Sequence, residues 1–164
     1  MTRDEFWRLI EAARAADPAL PEEGLHEVLE PLGAAELGSF QAHFDELFDA
    51  AYRWSLWGAA YLIEGGCSDD GFIDFRYGLV SLGRRAYEGA LADPDSLVSV
   101  EDAIPNESFG YVASQLFEAK AGRPMAERRS NAPDAPAGDE WDFDDEGENA
   151  RRFPRLFARF GGGG

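Results

Sequence analysis

The fold of this 164-residue chain is decided by residues 54–71, which read WSLWGAAYLIEGGCSDDG. The part that ends at Glu64 is apolar on nearly every side, which is typical of a helix at the centre of a small domain. Two glycines follow and end the helix, because glycine tolerates the left-handed backbone of a helix C-terminus. Ser68 or Asp69 then offers the side-chain oxygen that begins the next helix. The segment therefore predicts two helices joined by a sharp turn.

Helical patterns continue on both sides of this segment. Thr2 and Glu5 have the spacing of a capping box, which predicts a helix over residues 3–16. Elsewhere apolar residues recur at intervals of three and four, with proline and glycine between the runs. The other predicted helices start near residue 21 and span residues 34–53, 70–91 and 108–121, with residues 96–107 irregular. We predict an all-α fold, a compact bundle of about five to six helices with an irregular acidic C-terminal tail.

The composition is that of one globular domain, because 45% apolar and 13% aromatic residues are too many for a disordered chain. The net charge of −17 repels nucleic-acid phosphates and anionic membrane surfaces. No stretch is apolar for long enough to span a bilayer. The single cysteine fits a reducing compartment, and the charged start does not resemble a secretion signal. We expect a cytoplasmic protein that contacts neither nucleic acid nor membrane.

Composition changes near residue 124 and predicts a helical domain over residues 1–124, followed by an acidic linker and a basic, aromatic segment over residues 125–164. Residues 130–149 hold eight acidic residues and no basic one, with Trp141 and Phe143 among them. Four arginines follow. An acidic stretch with aromatic residues is typical of a segment that docks onto a partner's basic, apolar groove. One alternative is that the segment folds back onto its own domain, with Arg151, Arg152 and Arg155 meeting acids there. The interpretation that we favour is a solvated linker followed by a last helix that docks on the domain.

Three aspartates around the turn form the first candidate site. Asp70 and Asp74 are four residues apart and share one face of a helix, with Asp69 beside them. Together with Glu64 or a histidine, their oxygens would suit a divalent cation. Capping of the helix start explains the same aspartates without any chemistry, and it is the interpretation that we favour.

An aromatic cleft beside the turn is the second candidate site. Arg76 could hold the carboxylate or phosphate of a ligand there. The alternative is core packing, with Arg76 in an internal salt bridge to one of the three aspartates. The candidate binding residues are Trp54, Trp57, Tyr61, Glu64, Asp69, Asp70, Asp74 and Arg76.

Groups for covalent catalysis are sparse. Cys67 precedes a helix N-terminus, but the only two histidines, His26 and His43, lie far from it in sequence. The adjacent aspartates oppose a thiolate, so we interpret Cys67 as a packing residue. With so few histidines and cysteines a zinc site is not expected, and we expect no cofactor.

Residues 56–72, LWGAAYLIEGGCSDDGF, resemble the bacterial family known as domain of unknown function 4240. Phe75-Arg76 and the later run Asp93-Pro94-Asp95-Ser96-Leu97 extend the resemblance. The opening residues 5–10, EFWRLI, are similar to the start of that family as well. The resemblance reaches to about residue 120. It implies membership of the family but no reaction.

These patterns favour a non-catalytic module that binds a protein or peptide partner through the cleft or through the tail. Aromatic and acidic residues abound, while nucleophile, base and orienting group do not coincide. One alternative is a small divalent-metal-dependent hydrolase that uses Asp69, Asp70 and Asp74. Another is an immunity-like protein that neutralises a basic toxin. The sequence leaves the oligomeric state open.

Overall fold

Helices make up the regular structure of the chain. The computed structural model describes residues 1–127 and 133–161. Its α-helices are α1 (Arg3–Ala16), α2 (Pro21–Leu29), α3 (Ala34–Ala50), α4 (Trp54–Glu64), α5 (Asp69–Ser81), α6 (Arg84–Ala92), α7 (Glu107–Ala121), α8 (Glu146–Arg152) and α9 (Pro154–Leu156). A 3₁₀ helix at Pro94–Ser99 follows α6, and a π-helical turn at Phe157–Gly161 follows α9. These described residues contain no strand, only an isolated bridge between Arg53 and Ala137, so the all-α prediction is confirmed.

The helices pack around one apolar core. α1 lies against α2, and α7 lies against α2, α3 and α5. The largest fully buried side chains are mostly aromatic: Tyr87, Phe6, Phe40, Phe44, Phe72, Phe75 and Phe109. Removing each such ring from water contributes roughly 1.5–3 kcal/mol to folding. In the described part of the chain, no helix is both long and apolar enough to cross a membrane.

The prediction of five to six helices is wrong in number, because the described residues hold nine α-helical segments. The helix predicted over residues 70–91 is in fact two, α5 and α6. Gly83 separates them with a φ of +96°, and a Cβ there would lie 2.3 Å from Oε1 of Glu11. A backbone with this positive φ favours glycine. The helix predicted over residues 34–53 also ends earlier, at Ala50.

The C-terminal segment, defined here as residues 133–161, is not irregular throughout. Its second half forms α8, α9 and the π-helical turn, and the stretch predicted to be irregular at residues 96–107 overlaps the 3₁₀ helix. α9 packs against the 3₁₀ helix and α4, and such tertiary contacts stabilise helices that are too short to form alone. The parts of the predicted tail at residues 128–132 and 162–164 lie outside the described residues.

Candidate functional site

The turn between α4 and α5 is fixed by its own backbone and caps. Gly65 has a φ of +69° and ends α4 in the left-handed conformation, as the sequence predicts. Ser68 caps α5 by accepting a hydrogen bond from the amide of Gly71 at 3.2 Å. The indole N–H of Trp57 donates to the carbonyl of Cys67 at 2.9 Å and ties the turn to α4. These contacts account for the shape of the turn without a ligand.

The three aspartates of the first candidate site do not assemble a metal centre. Asp69 and Asp70 are exposed in the first turn of α5, where their charge favours the helix dipole. Asp74 is half-buried one turn later. In the part of the chain that the structure describes, no group of three or more His, Cys, Asp or Glu is placed to hold a metal ion. The acidic residues of the turn therefore serve mainly to stabilise the start of α5.

Cys67 is poorly suited to act as a nucleophile. Burial raises the pKa of its thiol to about 11, and the nearby charge of Glu64 adds to the shift. Desolvation also raises the pKa of the Glu64 carboxyl. A thiol in this state is protonated at neutral pH and is the weaker nucleophile. The interpretation of Cys67 as a packing residue agrees with these surroundings.

Arg76 lies inside the protein and does not line an open cleft. The residue is 6% exposed, and its guanidinium carbon lies 3.9 Å from the ring centre of Phe48 and 4.7 Å from that of Tyr52. Burial lowers the pKa of Arg76 to about 10.

The hydrogen bonds of Arg76 lead to the backbone and not to an acid. Its guanidinium donates to the carbonyl of Phe48 at 3.3 Å, while Nε is buried without a partner. None of the predicted salt bridges to Asp69, Asp70 or Asp74 forms. The cation is held by aromatic rings, an arrangement worth about 2 kcal/mol when desolvated.

The aromatic face of α4 is covered by the chain itself. Trp54 stacks on Trp57 with ring centres 5.5 Å apart, and Trp57 stacks on Phe72 at 5.0 Å. Phe143 of the C-terminal segment lies over this face, 6.0 Å from Trp54 and 5.5 Å from Tyr61. The predicted cleft and the acidic, aromatic tail thus form one surface.

Trp141 anchors the C-terminal segment on α4. A Cβ at Gly58 would lie 2.3 Å from Cζ2 of Trp141, so the ring packs where α4 has no side chain. The indole N–H donates to Oδ1 of Asn149 at 2.9 Å, and Nδ2 of Asn149 donates to the carbonyl of Phe143 at 2.8 Å. Asn149 is buried and its two hydrogen bonds fix both aromatic residues relative to α8.

Asp95 anchors the same segment at its other end. Asp95 is 3% exposed, and its carboxylate accepts hydrogen bonds from the amides of Arg155 at 3.2 Å and Leu156 at 2.8 Å. The guanidinium of Arg155 adds a contact at 3.1 Å. A buried carboxylate requires such partners. Sequence reasoning missed this role, because the partners lie 60 residues away along the chain.

A pocket of about 180 Å³ opens where the end of α4 meets the C-terminal segment. We call it the C-terminal pocket. α4 and the turn contribute Tyr61, Leu62 and Gly65 to its lining. The hydroxyl of Tyr61 donates to the carboxylate of Asp144 at 2.5 Å across the junction. Of the predicted binding residues, Tyr61 alone lines this pocket.

The C-terminal segment supplies the rings and the charges of the pocket. Phe143, Phe157 and Phe160 are the rings, and Asp144 and Glu146 are the acids. The pKa of Tyr61 is raised, first by its hydrogen bond to Asp144 and further by desolvation and the charges of Asp144 and Asp142. The pocket is therefore apolar in its walls and negative in its field.

Larger grooves exist on the described surface. One of about 650 Å³ lies between α1, α6 and the 3₁₀ helix, with Arg14 and Arg85 in its lining. Another of about 450 Å³ lies beside it and includes Arg14, Glu22 and Asp102. Their charges are of both signs, and none of the predicted site residues lines either groove.

A family model described as a protein of unknown function, DUF4240, matches residues 1–119 of the chain. No curated protein and no solved structure matches it. The family match includes α1 to α6 and most of α7, and with them the turn and Asp95, whereas the C-terminal segment lies beyond it. The match covers well over half of the chain and agrees with the resemblance carried by residues 56–72. The chain belongs to the DUF4240 family.

Proposed function

We propose that this protein is a non-catalytic module that binds a protein or peptide partner through the C-terminal pocket. The observation that carries the proposal is the junction of Tyr61 with Phe143 and Asp144. At this junction Tyr61, one of the residues predicted to line the cleft, meets the C-terminal segment, and together they line the pocket. Aromatic walls with a few oriented polar groups are the usual composition of a recognition site.

The catalytic alternative has no observation in its favour. Cys67 has a raised thiol pKa. His43 has a ring nitrogen that lies 2.8 Å from the carbonyl of Met1, at the opposite end of the chain sequence from the pocket. The hydrolase hypothesis needs Asp69, Asp70 and Asp74 to converge. Asp69 and Asp70 are exposed in the first turn of α5, where their charge favours the helix dipole, and Asp74 is half-buried one turn later.

Selection from a peptide library on the immobilised full-length protein tests this proposal. Glu146→Trp places a large side chain at an exposed position on the rim of the pocket and blocks it whatever the charge of the partner. Glu107→Trp, at an exposed position in the first turn of α7, is the matched control. Peptides selected on the wild type should lose affinity roughly tenfold or more on Glu146→Trp and keep it on Glu107→Trp.

The proposal fails if selection yields no specific peptide, or if the selected peptides bind the two tryptophan variants equally. Circular dichroism of both variants must match the wild type. Binding constants are measured by calorimetry with the purified peptides.

A further inference from the structure

The size of the C-terminal pocket limits what enters it. At about 180 Å³ it is smaller than the roughly 300–1,000 Å³ of pockets that enclose a cofactor or a drug-sized ligand. One side chain of a partner fits such a volume. The partner would therefore be recognised by a projecting residue, with the rest of its contacts on the surrounding surface.

The charged residues that line the pocket, Asp144 and Glu146, are both acidic. Residues 139–146 hold six acidic residues and no basic one, and all six are exposed. In the described part of the chain, no arginine or lysine pairs with Asp144 or Glu146. Arg159 lies over the ring of Phe160 at 4.9 Å, but its guanidinium donates to the carbonyl of Val98 at 2.7 Å. Among the described residues, the carboxylates at the rim therefore have no ion-pair partner.

A similar pair of an aromatic ring and a carboxylate lies close by and already holds an arginine of the chain. Arg152 lies 4.0 Å from the ring centre of Trp141, and its Nε donates to a carboxylate oxygen of Glu148 at 3.0 Å. A ring and a carboxylate together hold one arginine there. The C-terminal pocket has the same two components, Phe143 and Asp144, with no cation of the described chain between them. By analogy with the Arg152 site, the group that would complete the C-terminal pocket is a cation.

We infer that the C-terminal pocket takes the cationic side chain of a basic protein partner, arginine in preference to lysine. The inference rests on the proposed function and names the chemistry of its partner. The planar guanidinium stacks on aromatic rings and pairs with carboxylates at its edge, which the compact, strongly hydrated ammonium of lysine does less well. The net charge of −17 steers such a partner toward the protein and accelerates the encounter. A basic toxin, as in the immunity-like alternative, is one partner of this class.

Calorimetric titration with a defined peptide tests the inference. The probe is a short peptide with arginines spaced by neutral residues, compared with the same peptide carrying citrulline, the neutral isostere of arginine. The arginine peptide should bind, the lysine version should bind more weakly, and the citrulline version should not bind. Added salt should weaken the arginine peptide steeply.

Charge variants separate the pocket from the general field of the protein. The double variant Asp144→Asn, Glu146→Gln should lower the affinity for the arginine peptide roughly tenfold or more. Glu107→Gln with Glu118→Gln changes the net charge equally at exposed positions on α7 and should weaken it less than about twofold. Phe160→Leu removes a ring of the wall without changing the charge and should cost severalfold in affinity.

Two results would overturn the inference. Equal weakening by the two charge pairs means that the arginine peptide responds to net charge alone. In the second result, the library peptides bind in a pocket-dependent way and keep that binding when citrulline replaces arginine. The module then binds a neutral group, so that the proposed function stands and the inference fails. If no peptide shows dependence on Glu146→Trp, the proposed function itself fails.

Discussion

Phe44 and Leu156 are both buried, yet they belong to parts of the chain that are held in different ways. Phe44 packs among Phe40, Tyr77 and Phe109 inside the helical bundle. Leu156 lies in the C-terminal segment, where its amide is held by Asp95. The bundle is stabilised by many apolar contacts between long helices, and the C-terminal segment by a few specific anchors. Loss of a single anchor should therefore affect the segment and spare the bundle.

Phe44→Ala should have the largest effect. Its removal leaves a cavity among three other aromatic rings, which costs about 3–5 kcal/mol in the free energy of unfolding. The midpoints of chemical denaturation measured by circular dichroism and by tryptophan fluorescence should shift together, because the bundle unfolds as a unit. A loss of less than about 1 kcal/mol would contradict the assignment of Phe44 to the core.

Asp95→Ala should have the next largest effect, and a local one. The amides of Arg155 and Leu156 lose their charged acceptor, at a cost of about 1.5–3 kcal/mol. Trypsin under native conditions should cleave faster after Arg151 and Arg152, while the helical signal of the bundle stays intact. Asp102→Ala, an exposed residue between the 3₁₀ helix and α7, is the control. Unchanged cleavage in Asp95→Ala would show that the anchor does not hold the segment.

The sign of the stability change caused by Gly58→Ala tests whether Trp141 packs on α4. In an exposed helix the change stabilises by about 1 kcal/mol, because alanine is the better helix former. Against Trp141 the added methyl group overpacks the contact and costs about 1–3 kcal/mol. We expect a net loss in the wild type. The same change in a Trp141→Ala background should cost less, because Phe153 at 3.2 Å is then the close contact that remains. An equal effect in both backgrounds would mean that Trp141 does not pack on α4.

The smallest effect concerns the turn. With its thiol pKa raised to about 11, Cys67 should react with iodoacetamide at pH 8 on the order of a hundredfold more slowly than a free cysteine. The rate should rise with pH as the thiolate forms. Glu64→Gln removes the secondary cause of the shift and should accelerate the reaction only severalfold. A rate equal to that of a free thiol would contradict the burial of Cys67.

Local signals explain which elements the sequence predicts well. α1 spans residues 3–16 as predicted, because Thr2 and Glu5 form their capping box within four residues of chain. The end of α4 at Gly65 follows from the conformational freedom of glycine in the same way. The motif at residues 56–72 likewise predicts the family that the chain belongs to.

Distant partners explain what the sequence does not predict. Glu11 on another helix accepts a hydrogen bond from the amide of Arg84 just after the break at Gly83, and a helical pattern that runs through residues 70–91 hides this break. The role of Asp95 depends on Arg155, far along the chain. Arg76 and the three aspartates are close in sequence, yet the aromatic rings around Arg76 take the place of the salt bridge that proximity predicts.

The central claim is that the C-terminal segment lies on α4 and completes the pocket. Nuclear Overhauser effects between ring protons in the full-length protein test it most directly. The structure predicts cross-peaks from Phe143 to Tyr61 and Trp54, whose ring centres lie 5.5 and 6.0 Å from it, and from Trp141 to the α protons of Gly58. Absence of these cross-peaks, with random-coil chemical shifts for residues 141–160, would contradict the account.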